Sequence, residues 1–229
     1  MKNRPIINRP VLFLRSLMIF QLSEHNIQFP DPSLADDDGL LAVGGDLSEA
    51  RLQLAYAHGI FPWFSEDDPI LWYAPHERCV IFPNSIKVTN SMKQVLRKGL
   101  FKITTNLAFT EVIQHCANSF RKDQDGTWIT SEMQQAYIRL HEKGLAHSVE
   151  VWEEEHLIGG LYGIKINNVF CGESMFSKKS NASKAALIWL CQSEDYELID
   201  CQLPNEHLMS LGAEMISRDE YLNILQQKS

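Results

Sequence analysis

"HSVEVWEEEHLIGGLYGIKINNVFCGESMF", residues 147–176, decides the fold. It divides into the strand-like segments "HSVEVW", "HLIGGLYGIKI" and "VFCGESMF", rich in β-branched and aromatic residues. The last two meet at Asn167-Asn168, a dipeptide that accepts the left-handed backbone of a two-residue hairpin turn.

Working outward toward the C-terminus, Asn181 is expected to cap a helix over 182–193. The strand "ELIDCQ" follows, then a short helix over 205–211 closed by Gly212, a strand "AEMIS" and a final helix from Arg218. Toward the N-terminus lie a helix over 131–143 ended by Gly144, the loop "SFRKDQDGTWIT", a helix over 107–118, the strand "FKITT" and a basic helix over 90–98 closed by Gly99. From residue 101 the order is β-α-α-β-β-β-α-β-α-β, which predicts an α+β domain: a mixed, largely antiparallel sheet with flanking helices. That succession resembles the Gcn5-related N-acyltransferase fold, whose members move acyl groups to amines.

The first third reads differently. Residues 24–47 are rich in Pro, Gly and Asp and are expected to be irregular. Ser48 then caps a helix over 49–58, with Glu49 in its first turn and Gly59 at its end. "VGGDLS" lacks the glycine spacing of a phosphate loop and reads as a turn into that helix. "GIFPWF", "PILWYAP" and "RCVIFP" interleave proline with aromatics and yield two short strands. The expected boundary divides a small N-terminal α/β domain, 1–77, from a larger domain, 78–229. Within the first, residues 1–17 are expected to form a loosely ordered extension, with Met18 an alternative start. Arg15 interrupts the short run "VLFL" and no small-residue cleavage site follows, so no signal peptide is expected.

With 45% hydrophobic and 22% charged residues, the 229-residue chain is ordinary for a soluble globular protein and long enough for a real core. No apolar run approaches the roughly 18–20 residues that span a bilayer, so no membrane partner is expected. The five cysteines form no CxxC pair and have no His at zinc-ligand spacing; reduced, mostly buried thiols are expected and no metal. The net charge of −8 opposes a nucleic-acid partner, but its distribution does not. Residues 78–110 hold Arg78, Lys87, Lys93, Arg97, Lys98 and Lys102 and no acid. Such a patch attracts a phosphate backbone, or is merely a solvated helix face.

"LIDCQ", residues 198–202, raises the chemical question. On a strand Leu198, Asp200 and Gln202 share one face while Ile199, Cys201 and Leu203 share the other, which reads as the face packed on a core. The carboxylate and carboxamide are then either a satisfied polar pair at a strand end or a pair that handles substrate.

The blocks "GLLAVGGDLS" (39–48), "LAYAHGIFPWF" (54–64), "PILWYAP" (69–75), "GTWIT" (126–130), "AHSVEVW" (146–152), "FCGESMFS" (170–177), "NASKAAL" (181–187) and "LIDCQ" resemble the bacterial leucyl/phenylalanyl-tRNA–protein transferases, in the same order. The resemblance covers nearly the whole chain from about residue 18. It implies a cytoplasmic aminoacyltransferase without cofactor. Such an enzyme moves Leu or Phe, also Met, from aminoacyl-tRNA to the N-terminus of proteins beginning with Arg or Lys, marking them for N-end-rule degradation. The basic cluster is thinner than the family's usual one, with Asn90 and Gln94 among the cations.

The resemblance puts Asp200 and Gln202 at the catalytic centre. The nucleophile is an α-amine with pKa of about 7.7–8.0, so a strong base is not required. An ordinary carboxylate is a weak base, so Asp200 suits anchoring and orienting the amine better than deprotonating it, with Gln202 sharing that bond. Leu161, Phe170 and Leu190 match the apolar acyl pocket, and Trp63, Tyr56 and Trp128 are the aromatic candidates for the tRNA 3′ end. Glu173 is expected to bond a substrate amine or ribose hydroxyl and, with Asp200, to favour an acceptor starting with Arg or Lys. Ser174 and Asn205 are its neighbours. Lys87, Lys93, Arg97 and Lys98 are the acceptor-stem phosphate contacts.

Two rival readings are an acetyl-CoA-dependent N-acetyltransferase and a non-catalytic RNA-binding module. The first needs a glycine-bearing pyrophosphate segment where this chain has "SMFSKKSNASKAAL". The second lacks an RNP1 or GXXG signature.

Overall fold

A computed structural model describes residues 19–119 and 127–227. The expected extension at 1–17 lies outside them, as does most of the loop at 119–130. The described residues open with β1 (Phe20–Leu22) and β2 (Leu40–Gly44), then α1 (Glu49–Ala57), β3 (Phe61–Pro62) and β4 (Leu71–Tyr73). These strands form a four-stranded sheet in the order β1-β2-β4-β3, with β1 and β2 parallel. The expectation that residues 24–47 are irregular is corrected by β2. "LLAVG" is too short and too closely flanked by Asp and Gly to signal a strand locally, and it becomes one because β1 and β4 pair along its two edges. Ser48 caps α1 as expected, accepting from the Arg51 N–H, and Gly59 follows at φ +70°.

The second sheet starts with β5 (Glu77–Ile81). Next come α2 (Asn90–Arg97), β6 (Lys102–Thr105), α3 (Phe109–Ala117), α4 (Ser131–Glu142), β7 (Ala146–Glu153), β8 (His156–Ile166) and β9 (Val169–Ser177). The chain finishes with α5 (Ala182–Gln192), β10 (Leu198–Gln202), α6 (Glu206–Ser210), β11 (Glu214–Ser217) and α7 (Arg218–Gln226). The succession expected from residue 101 is found element for element. Seven strands run in the order β11-β5-β10-β9-β8-β7-β6, and every pairing is antiparallel except β10 with β9. Asn167, at φ 50°, turns β8 into β9 through a two-residue loop between Ile166 and Val169. Asn181 stands at the start of α5 but in a left-handed conformation and makes no side-chain cap bond, which corrects its expected role.

Alternation along β8 sends Leu161 to a core under α5 and Tyr162 to a core under α3 and α4. Two glycines permit that packing. A Cβ on Gly159 would stand 2.5 Å from the Ala182 Cβ, and one on Gly163 2.2 Å from the Cys171 carbonyl oxygen. All five cysteines are free, and all but the half-buried Cys201 are buried. No described helix is long and apolar enough to cross a membrane.

Candidate active site

The ladder between β9 and β10 is short. It pairs Leu198 with Val169, Ile199 with Phe170 and Asp200 with Cys171, and there it stops. Just beyond, both strands lose register with their other neighbours. On β9, Tyr162 pairs with Ser174 and Gly163 with Gly172, so Glu173 is the extra residue of a bulge. On β10, Asp200 pairs with Val80 and Gln202 with Cys79, so Cys201 is skipped. The paired bulges part the two parallel strands and turn Glu173 and Gln202 toward each other. Gln202 adopts φ 62°, a left-handed conformation that costs a non-glycine residue about 1–2 kcal/mol. Strict alternation therefore fails past Asp200, and Leu203, expected on the buried face, is 37% exposed.

A cavity of about 880 Å³ opens at this gap, toward the upper end of the roughly 300–1,000 Å³ usual for small-ligand sites. Leu161, Phe170 and Leu190 form part of its apolar wall. Asp200, Gln202, Glu173, Ser174 and Asn205 also border it, as do Trp63 and Trp128, both half-buried. The structure thus brings together ten of the residues singled out from sequence.

Glu173 is 7% exposed. Its Oε1 accepts from the Tyr56 hydroxyl at 2.6 Å and from Gln202 Nε2 at 2.7 Å, and its Oε2 accepts from the Tyr137 hydroxyl at 3.1 Å. Tyr56 and Tyr137 also share a short hydrogen bond. Burial pushes the Glu173 carboxyl up from its ordinary 4.5, the three donors pull it back, and it rests at about 7. Burial, then the Glu173 charge, holds both tyrosines well above their ordinary range, so they stay protonated donors. Tyr56, expected to offer a stacking face beside Trp63, is instead 1% exposed, does not border the cavity, and spends its hydroxyl on Glu173.

Asp200 is wholly buried and fully bonded. Its Oδ1 accepts from Arg78 Nε and from the Gln202 backbone N–H, both at 2.8 Å. Its Oδ2 accepts from Arg78 Nη2 at 2.8 Å and the Tyr221 hydroxyl at 2.9 Å. These four bonds fill the acceptor capacity of a carboxylate, so in this arrangement Asp200 offers substrate no free lone pair. Arg78 is no part of a basic surface. Burial alone would lower its pKa, but the Asp200 charge outweighs that and raises it, so the guanidinium stays charged.

Asn205 accepts from the Leu208 N–H as the N-cap of α6, a local structural duty. Lys87, Lys93, Arg97 and Lys98 are exposed on or beside α2 and do not border the cavity. Among the described residues, no group of three or more His, Cys, Asp or Glu is placed to hold a metal ion. Sequence reasoning missed Tyr137, Tyr221 and the true place of Arg78. The last had a signal: Arg78 heads the apolar run "CVIF" on its strand, and an arginine drawn inside with that run needs a buried partner.

Residues 80–226 match the sequence profile of the leucyl/phenylalanyl-tRNA protein transferase family, and residues 45–76 match that family's N-terminal domain. The chain belongs to this family. A transferase of that name from Flavobacterium johnsoniae is 54% identical over 203 residues, which cover 87% of this chain and 96% of that one. Its namesakes from Shigella dysenteriae and Escherichia coli are each 50% identical over 216 residues, covering 92% of this chain and 91% of theirs. Among solved structures, a GCN5-related N-acetyltransferase from Kribbella flavida aligns with a TM-score of 0.36 at 9% identity, over 72% of this chain and 53% of that one. A conserved protein of unknown function from Bacteroides thetaiotaomicron reaches 0.45 at 11% identity, over 67% of this chain and 56% of that one. At that distance neither bears on the chemistry of the family site.

Proposed function

We propose that the protein transfers Leu or Phe, and also Met, from aminoacyl-tRNA to the N-terminal α-amine of proteins beginning with Arg or Lys. The reaction takes place in the cytoplasm and marks the product for N-end-rule degradation. Membership of the family supports aminoacyl transfer from tRNA to protein. The observation that carries the finer reading is the cavity at the β9–β10 gap, where an apolar wall, two tryptophans and the Glu173–Gln202 pair converge.

In this reading Leu161, Phe170 and Leu190 receive the aminoacyl side chain and exclude β-branched competitors by clash, because a single methylene more or less in an apolar pocket is worth only about 1–3 kcal/mol. Trp63 and Trp128 stack on the unpaired 3′ end, and Ser174 lines the pocket beside them. Lys87, Lys93, Arg97 and Lys98 hold acceptor-stem phosphates. The acceptor α-amine attacks the ester carbonyl; a C–N bond forms, the C–O bond breaks, and the tRNA ribose hydroxyl leaves with a proton. Gln202 orients the amine and Glu173 bonds it. Asp200 acts one step back, through Gln202, since its own oxygens are already occupied. The carboxylates of Glu173 and Glu206 on the cavity border favour a cationic first residue.

The test is transfer of radiolabelled Leu from Leu-tRNA to peptides beginning with Arg or with Glu, beside a reaction holding acetyl-CoA in place of tRNA. Label on the Arg peptide alone is expected. Folded protein that acetylates but does not transfer Leu would contradict the reading in favour of an acetyltransferase.

A further inference from the structure

Asp200 borders the cavity yet spends both carboxylate oxygens on four donors from the protein itself. We propose that Arg78 and Tyr221 are positioning residues for the transfer reaction. They fix Asp200 so that it holds the Gln202 backbone N–H and keeps the Gln202 carboxamide aimed at Glu173 across the β9–β10 gap. The inference rests on the aminoacyl-transfer reading of this site.

The geometry supplies the reason. Where β10 slips register against β5, the Gln202 N–H bonds the Asp200 side chain, and the residue is left-handed. A backbone in that conformation persists only where its surroundings over-determine it. Asp200 can impose it only if its own carboxylate cannot rotate, and the fork of Arg78 with the Tyr221 hydroxyl removes that freedom. Arg78 is itself immobilised. Its guanidinium lies between the rings of Phe61 and Tyr221, 4.7 and 4.6 Å from their centroids, and its Nη1 donates to the Gly59 carbonyl at 3.1 Å. Gly59 and Phe61 lead directly into Trp63, so one cation sets both the Gln202 amide and the segment that carries an aromatic wall of the cavity. A buried ion pair serving stability alone would not need to reach the one strained residue of the polar wall.

Two conservative variants separate positioning from mere support. Tyr221→Phe deletes one donor and keeps the ring over the guanidinium; Arg78→Lys keeps a charge and loses the fork. Thermal stability, the KM for Leu-tRNA and kcat are measured for each, and for Gln202→Ala with and without Tyr221→Phe. The expected result is a folded Tyr221→Phe with wild-type KM and a kcat lower by roughly ten- to a hundredfold, the scale of a small misplacement of reacting groups. Once Gln202 is Ala, Tyr221→Phe lowers kcat no further, because its effect passes through that side chain. Should Arg78→Lys fail to fold, Tyr221→Phe and the double variant still decide the matter. An active wild type with unchanged kcat in Tyr221→Phe, or full additivity in the double variant, would overturn the positioning role alone. A folded wild type that transfers nothing from tRNA would overturn the transfer reading and the positioning role together.

Discussion

Glu173 is the residue on which the proposed chemistry turns, because three neutral donors converge on a carboxyl that burial has raised to about 7. Near neutral pH it exchanges its proton in the range where an α-amine, at about 7.7–8.0, loses its own. In wild type kcat/KM should therefore climb through pH 7 as Glu173 ionises and again as the amine becomes neutral. Glu173→Gln should be slower throughout and retain only the amine limb, and a pH profile of both proteins checks this. The same shift couples to stability. The folded chain binds this proton more tightly between pH 4.5 and about 7, so Glu173 contributes stability that is full below 4.5 and lost as pH rises through 7. Melting temperatures from pH 4.5 to 8 should fall more steeply for wild type than for Glu173→Gln.

At the scale of elements, the proposed site lies where a parallel ladder ends between two bulges. Gly163, opposite the β9 bulge, cannot carry a side chain without meeting the Cys171 carbonyl at 2.2 Å and the Phe170 ring at 2.6 Å. Gly163→Ala should destabilise by about 1–3 kcal/mol, the usual cost of overpacking, and should shift the urea midpoint and impair Leu transfer together. The bulges also mark where sequence reading stops. Helix ends at Ser48, Gly59 and Gly212 were legible because caps and left-handed glycines are local chemistry. The hairpin at Asn167 was legible for the same reason. A bulge depends on what the neighbouring strand does, so nothing in "LIDCQ" announces that Gln202 turns left-handed or that Leu203 is exposed. The burial of Tyr56 is hidden for the same reason: an aromatic on a helix beside "FPWF" looks like a stacking surface until α4 brings Tyr137 against it.

At the scale of the whole molecule, an acidic chain of net charge −8 carries exposed cations at Lys87, Lys93, Arg97, Lys98 and Lys102, while Arg78 from the same stretch is spent inside. If α2 receives tRNA phosphates, replacing Lys93, Arg97 and Lys98 by Ala should raise the KM for Leu-tRNA. The salt dependence should then flatten by about 0.9 in log–log slope for each duplex-stem phosphate that is no longer neutralised, with kcat at saturation unchanged. A titration of KM against salt reads this directly. The most direct measurement of all is single-turnover transfer of Leu from Leu-tRNA to an Arg-initiated peptide by wild type and Gln202→Ala, with tRNA affinity determined in parallel. Wild-type transfer, slowed by about a hundredfold or more in Gln202→Ala while tRNA binding is kept, is the predicted result. Equal rates in the two proteins would contradict the assignment of the reaction to the gap between β9 and β10.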